Sequence, residues 1–171
     1  MAPGKRSAKQ VATAYFEAID RRDLDAMVGM WHPDGHGEIH GLVRLTIPHE
    51  LRSWFGNLFT AFPDFSMTVL DHVAYGDRAA VRWRAGGSFT GPTRFEGLAP
   101  TGAEVTMEGL DLLTITDGLI RENNAYTNGA DLARQLGALP PADSVGERVM
   151  LGAVNARTAA LELGRRALKR D

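Results

Sequence analysis

The chain has 171 residues, 19 Lys and Arg against 21 Asp and Glu, a net charge of −2 and no cysteine. That length suits one domain with a proper core, and the balanced charge gives neither nucleic acid nor an anionic membrane surface a global attraction. Disulfides, thiolate metal sites and thiol nucleophiles are excluded. No apolar stretch approaches a membrane span and the first six residues lack a signal-peptide hydrophobic region, so a cytoplasmic protein with no membrane partner is expected.

Ser7 and Gln10 have capping-box spacing, and Val11, Ala14, Tyr15 and Ala18 then recur at helical intervals. A short second helix is predicted after Asp23, with Leu24, Met27, Val28 and Trp31 on one face and His32-Pro33-Asp34-Gly35 as its stop. A third begins near Pro48, placed at the first helical position. Its stripe of Leu51, Trp54, Phe55, Leu58, Phe59 and Phe62 reads as a core-facing helix side. From Phe65 the period changes to alternation. Strands are predicted near Met67 to Tyr75, Arg78 to Phe89, Ala103 to Ile115 and Leu119 to Thr127, with Asp117-Gly118 as a tight hairpin turn. Gly86-Gly87 reads as a bulge that bends the sheet. Asp131 to Leu136 is a short helix ended by Gly137, Pro140-Pro141 is a rigid joint, and Ser144 with Glu147 opens a last helix toward the C-terminus. That helix packs either on its own domain or over a partner subunit. Helices followed by an antiparallel meander make an α+β fold: a curved antiparallel sheet wrapped around N-terminal helices, with a cone-shaped cavity between them.

One residue breaks the pattern of its strand. Val105, Met107, Asp111, Leu113 and Ile115 share a face on a period of two, so Asp111 places a carboxyl on an apolar surface. Desolvation raises the pKa of such a group, which is either a satisfied structural acid or a functional acid in a cavity. Trp83 alternates with Val81 and Ala85 and is placed to line the cavity or pack in the core, with Arg82 and Arg84 on the solvated face.

His32, His36 and His40 are spaced as on a helix face, but Pro33, Gly35 and Gly37 oppose a helix. On a strand from Gly35 to Gly41, His36, Glu38 and His40 share one face. Three readings stay open: a metal-ligand set, a proton acceptor for the cavity, or a solvent-facing edge strand. No metal is assigned.

Four stretches carry a resemblance: Ala14-Tyr15-Phe16-Glu17-Ala18-Ile19-Asp20-Arg21-Arg22-Asp23-Leu24-Asp25, Trp31-His32-Pro33-Asp34, Ala99-Pro100-Thr101-Gly102, and Asp117-Gly118-Leu119-Ile120 leading into Asp131 to Gly137. In this order the chain resembles a nuclear transport factor 2-like domain of the SnoaL-like branch, named for a polyketide cyclase. The expected organisation is a SnoaL-like cone-shaped domain over residues 1–139 and a C-terminal helical extension over residues 140–171. The resemblance implies a homodimer through the open sheet face, a hydrophobic small molecule as ligand, and chemistry with no cofactor.

Site positions follow from that resemblance one at a time. Ketosteroid isomerases on the same fold hold an oxyanion with a first-helix tyrosine and a protonated aspartic acid on a central strand. Those positions fall on Tyr15 and Asp111. The isomerase base falls near Ile39, which leaves Glu38 or His40 as the nearest proton acceptor. The acid of SnoaL-like cyclases falls on Ala125, which has no proton to give, and its neighbour on the same face is Asn123, which hydrogen-bonds without titrating. Trp31, Trp83, Met107, Asn123 and Ala125 are the expected substrate-contacting positions. Two functions remain open: a cofactor-independent cyclase or isomerase acting on a hydrophobic, polyketide-like carbonyl compound, and a non-catalytic ligand-binding or dimerisation module.

Overall fold

The computed structural model describes residues 6–167; residues 1–5 of the N-terminal segment and residues 168–171 of the expected C-terminal extension lie outside the described residues. The elements run α1 (Ala8–Asp20), α2 (Leu24–Gly29), β1 (Trp31–Ile39), β2 (Val43–Thr46), α3 (His49–Ala61), β3 (Ser66–Tyr75), β4 (Arg78–Ser88), β5 (Glu104–Thr116), β6 (Leu119–Thr127), α4 (Gly129–Gln135) and α5 (Val145–Ala167). Six strands form one sheet in the order β2-β1-β6-β5-β4-β3. The predicted α+β architecture is present, with α1 packed against β3, β4 and β5. Among the described residues no helix is long and apolar enough to cross a membrane.

Local chemistry accounts for most boundaries. The Ser7 hydroxyl accepts from Gln10 N while Gln10 Oε1 accepts from Ser7 N, closing the expected capping box at α1. Asp117 and Gly118 both have positive φ, 55° and 79°, the pair of left-handed residues that a two-residue hairpin turn with matching twist requires. Pro48 stands at the N-cap of α3 rather than at its first helical position.

Three local expectations are corrected. His32-Pro33-Asp34-Gly35 does not end a helix that includes Trp31: α2 stops at Gly29, and Trp31 opens β1, which runs through the whole tetrapeptide. That strand is not an edge. It lies between β2 and β6, antiparallel to the first and parallel to the second, so the sheet is mixed. Gly86-Gly87 is not a bulge, because β4 keeps register with both neighbours there, and the shift falls instead between Val69 and Asp71 of β3. A Cβ at Gly86 would come within 2.6 Å of the Val105 carbonyl, so bare backbone is needed for close approach.

The concave side of the sheet, α1 and α3 enclose the core. Tyr15, Phe16, Ile19, Leu51, Phe55, Phe62, Phe89 and Leu113 are buried there. The opposite face is open: Val73, Tyr75, Leu110, Leu112 and Tyr126 are exposed, as are Val149, Leu151 and Val154 of α5. Helix α5 is tied to the domain near its start by Arg134 and Glu147, 3.0 Å apart.

Candidate functional site

The alternation that makes β5 and β6 half-buried sends Met107, Gly109 and Asp111 to the concave side together with Asn123, Ala125 and Thr127. They surround an apolar void of about 100 Å³ whose wall also includes Tyr15, Trp31 and Trp83. Eight of the nine positions singled out in the sequence therefore border one cavity: Tyr15, Trp31, Glu38, Trp83, Met107, Asp111, Asn123 and Ala125.

Asp111 is buried and both of its carboxyl oxygens are bonded. Oδ1 accepts from Trp83 Nε1 at 2.7 Å, and Oδ2 accepts from Asn123 Nδ2 at 2.6 Å. Tyr15, which the resemblance sets with Asp111 at one oxyanion site, makes neither bond. Burial pushes the Asp111 carboxyl above its ordinary range, opposed in turn by the Asn123 and Trp83 hydrogen bonds, and burial prevails. The Tyr15 hydroxyl is also held above its ordinary value, first by burial and then by the charge of Asp111. The Trp31 indole N–H lies near enough to the hydroxyl to oppose that rise, although the two do not form a hydrogen bond of ordinary geometry. Tyr15 thus stays a protonated phenol at neutral pH, able to donate.

Glycines shape this wall. Trp83 pairs directly with Gly109 across the β4–β5 ladder, and a Cβ on Gly109 would sit 2.2 Å from the indole ring. On β1, Cβ atoms at Gly35 and Gly37 would meet the Trp31 ring at 3.0 and 3.2 Å. Each tryptophan lies flat along the cavity because the strand beneath it carries no side chain there.

Of the two proton acceptors considered from the sequence, His40 lies outside the cavity lining and Glu38 is at its border with its carboxylate engaged by other side chains. His40 stacks on Tyr126 with centroids 4.3 Å apart and bonds Asn124 through Nε2 at 3.0 Å. Asn124 and Tyr126 alternate with Asn123 and Ala125, so His40 is on the outer face of the sheet. Glu38 borders the cavity, yet its carboxylate is paired with Arg44 at 2.9 Å and lies 3.4 Å from His40 Nδ1. His36 faces Glu122 at 3.7 Å and His32 meets Arg121 at 2.8 Å, so the three histidines do not converge. Among the described residues no three such side chains are grouped to hold a metal ion.

Two features escaped the sequence reading. The Trp83 and Asn123 bonds to Asp111 depend on strand register, and Asp111 is directly opposite Ala125 in the β5–β6 ladder. The turn at Asp117-Gly118 sets the pairing only as far as Ile115 and Ile120; the shift between Thr114 and Ile115 then brings Asp111 opposite Ala125 instead of Asn124, and no local sequence pattern marks that shift.

The fold is shared with solved structures. AclR of Streptomyces galilaeus, described as a candidate hydroxylase, is 26% identical with a TM-score of 0.69, over 92% of this chain and 96% of its own. A candidate SnoaL-like polyketide cyclase from Jannaschia sp. CCS1 (22% identity, TM-score 0.67, 81% of this chain and 100% of its own) and IdmH of Streptomyces antibioticus, a candidate polyketide cyclase (24%, 0.65, 77% and 99%), share the fold. No curated protein matches the sequence. The family model described as SnoaL-like polyketide cyclase matches residues 9–136. The chain belongs to the SnoaL-like polyketide cyclase family.

Proposed function

We propose that the chain holds a hydrophobic, polyketide-like carbonyl compound in this cavity and catalyses a cofactor-independent proton transfer that closes a ring or shifts a double bond. The observation that carries this reading is the cross-strand pairing of Asp111 with Ala125. The position that bears the acid in SnoaL-like cyclases is alanine here, and a buried carboxyl stands beside it on the next strand, facing the same void. We place the proton carrier at Asp111 rather than at His40 or Glu38, whose side chains engage the outer face.

In the cyclising version, the Asp111 carboxylate takes a proton from a carbon between two carbonyl groups. The electrons of the C–H bond move onto one carbonyl oxygen, which accepts a hydrogen bond from the Tyr15 hydroxyl. The enolate carbon then bonds to a second carbonyl carbon of the same molecule, whose π electrons pass to its oxygen. Asp111, now neutral, returns the proton to that alkoxide, and no external oxidant or reductant is involved. A carboxyl whose pKa is raised by burial is a stronger base than an exposed one and can hand the proton back to the alkoxide.

A second reading, a non-catalytic ligand-binding module, is favoured by one observation: both Asp111 oxygens already accept N–H bonds. Asp111→Asn separates the two. The variant keeps an oxygen for Trp83, and a rotated Asn123 amide accepts from the new side chain, so folding is preserved. On a β-diketone whose ring closure changes its absorbance, general acid–base catalysis predicts a loss of about 10² to 10⁴-fold. An unchanged rate favours the binding module.

We further propose that the protein pairs with a second copy through the open sheet face. The exposed Tyr75, Val73, Leu112 and Leu110 form an apolar surface of the kind that marks an interaction site.

A further inference from the structure

Two polar atoms in the cavity wall have no partner. Trp31 Nε1 and Asn123 Oδ1 are buried and neither makes a hydrogen bond of ordinary geometry, although the Tyr15 hydroxyl lies near the indole N–H. Their residues are 5% and 8% exposed and both line the void. Buried polar groups are paired in the great majority of cases, so an orphan donor and an orphan acceptor in one cavity need an account. Their roles are fixed by what surrounds them. Asn123 Nδ2 is committed to Asp111 at 2.6 Å, which leaves the carbonyl end free. The Trp31 ring is laid along β1 by Gly35 and Gly37 and has only its N–H to offer.

One free N–H and one free carbonyl oxygen ask for a ligand that both accepts and donates. A neutral hydroxyl does both. An ether or a ketone satisfies Trp31 and leaves Asn123 unpaired. A carboxylate brings a negative charge toward Asn123 Oδ1 and the Asp111 carboxyl with no proton to give. Space adds a second limit: the void is about 100 Å³, below the roughly 150 Å³ of an engineered cavity that holds benzene. It admits the end of one ring, with the rest of a larger molecule at the mouth.

We propose that the cavity recognises a ring end bearing a free hydroxyl, phenolic or enolic, which accepts from Trp31 Nε1 and donates to Asn123 Oδ1. This rests on the reading of the cavity as a ligand site and is independent of Asp111 as proton carrier. The test is a binding series on the full chain at neutral pH, by calorimetry, with phenol, anisole, toluene and benzoate. Phenol is expected to bind at least tenfold more tightly than each of the others. Trp31→Phe, which keeps a ring but removes the N–H, is expected to cut the phenol-to-toluene ratio several-fold while leaving toluene binding in place. Toluene or anisole matching phenol overturns the hydroxyl assignment and leaves the ligand site standing, as does a Trp31→Phe protein that keeps the full preference. Failure of all four to bind overturns both.

Discussion

The Trp83 indole lies across the bare backbone of Gly109 on the neighbouring strand and so brings its N–H to Asp111, two residues further along β5. A methyl group at Gly109 would occupy the space of the indole itself, 2.2 Å from Cζ2. Gly109→Ala is therefore expected to displace Trp83, break its bond to Asp111 and cost about 1–3 kcal/mol, the range of an overpacked core. Urea unfolding followed by tryptophan fluorescence measures this. A variant within about 0.5 kcal/mol of the parent, the range of an innocuous surface change, means that the indole does not depend on the glycine.

The pH dependence of stability reports on Asp111 directly. Its folded pKa is raised, chiefly by burial, whereas an unfolded Asp titrates near ~3.9. Between those two values the folded chain keeps a proton that the unfolded chain has released, so the contribution of Asp111 to stability is fully present below ~3.9 and is lost as pH rises through the folded pKa. Asp111→Asn removes that slope. Glu50, Asp64, Glu108 and Glu147 are all lowered by their hydrogen bonds, but they act equally in both proteins and cancel in the difference. Paired urea titrations across the acid-to-neutral range should show parent minus variant stability falling as pH rises. A difference that grows with pH means the Trp83 and Asn123 bonds outweigh burial.

The same residues show what a sequence can and cannot reveal about this site. Asp111 stood out because its strand alternates cleanly, so a polar residue on the apolar face is visible without coordinates. Trp83 was likewise placed by period, whereas Tyr15 and Asn123 were assigned to the site only by the family resemblance. Strand β1 was misread because its inward positions after Trp31 are Gly35 and Gly37. Glycine leaves no apolar beat to count, and the space is filled by Trp31 folded back over it. Strand β2 is four residues long at the sheet edge, too short for a periodic signal. The outward placement of His40 follows from parallel pairing of β1 with β6, a contact between segments more than eighty residues apart in the chain, and no local pattern encodes it.

The open sheet face and α5 each carry apolar side chains without cover, among them Leu112 at 44% exposure and Val154 at 56%. If two copies pair through the sheet, light scattering should give about twice 18.6 kDa, and Leu112→Lys should weaken association by at least tenfold, about 1.4 kcal/mol. Val154→Glu separates the surfaces: weakening by this change as well places α5 in the interface, and indifference to it leaves the helix outside. A parent protein that remains monomeric at micromolar concentrations overturns the pairing.

Ala125→Asp tests whether the two carboxyl positions share one site. Asp111 and Ala125 are directly opposed in the β5–β6 ladder, where Cβ atoms on the same face stand about 4.5–5.5 Å apart. Both positions are buried, at 5% and 6% exposure. Two carboxyls at that separation in an apolar wall cannot both ionise cheaply, so the pair holds one proton over a wide pH range and titrates in two coupled steps. The variant should lose at least about 1.4 kcal/mol more stability than the parent between pH 5 and pH 8, the equivalent of about one pKa unit of coupling. If Asp111 carries the proton in catalysis, the pH–rate profile should also gain a second inflection, because the introduced carboxyl exchanges protons with it. A stability profile that follows the parent's across this range means that the new carboxyl has turned to solvent, and that position 125 and Asp111 do not face a common void.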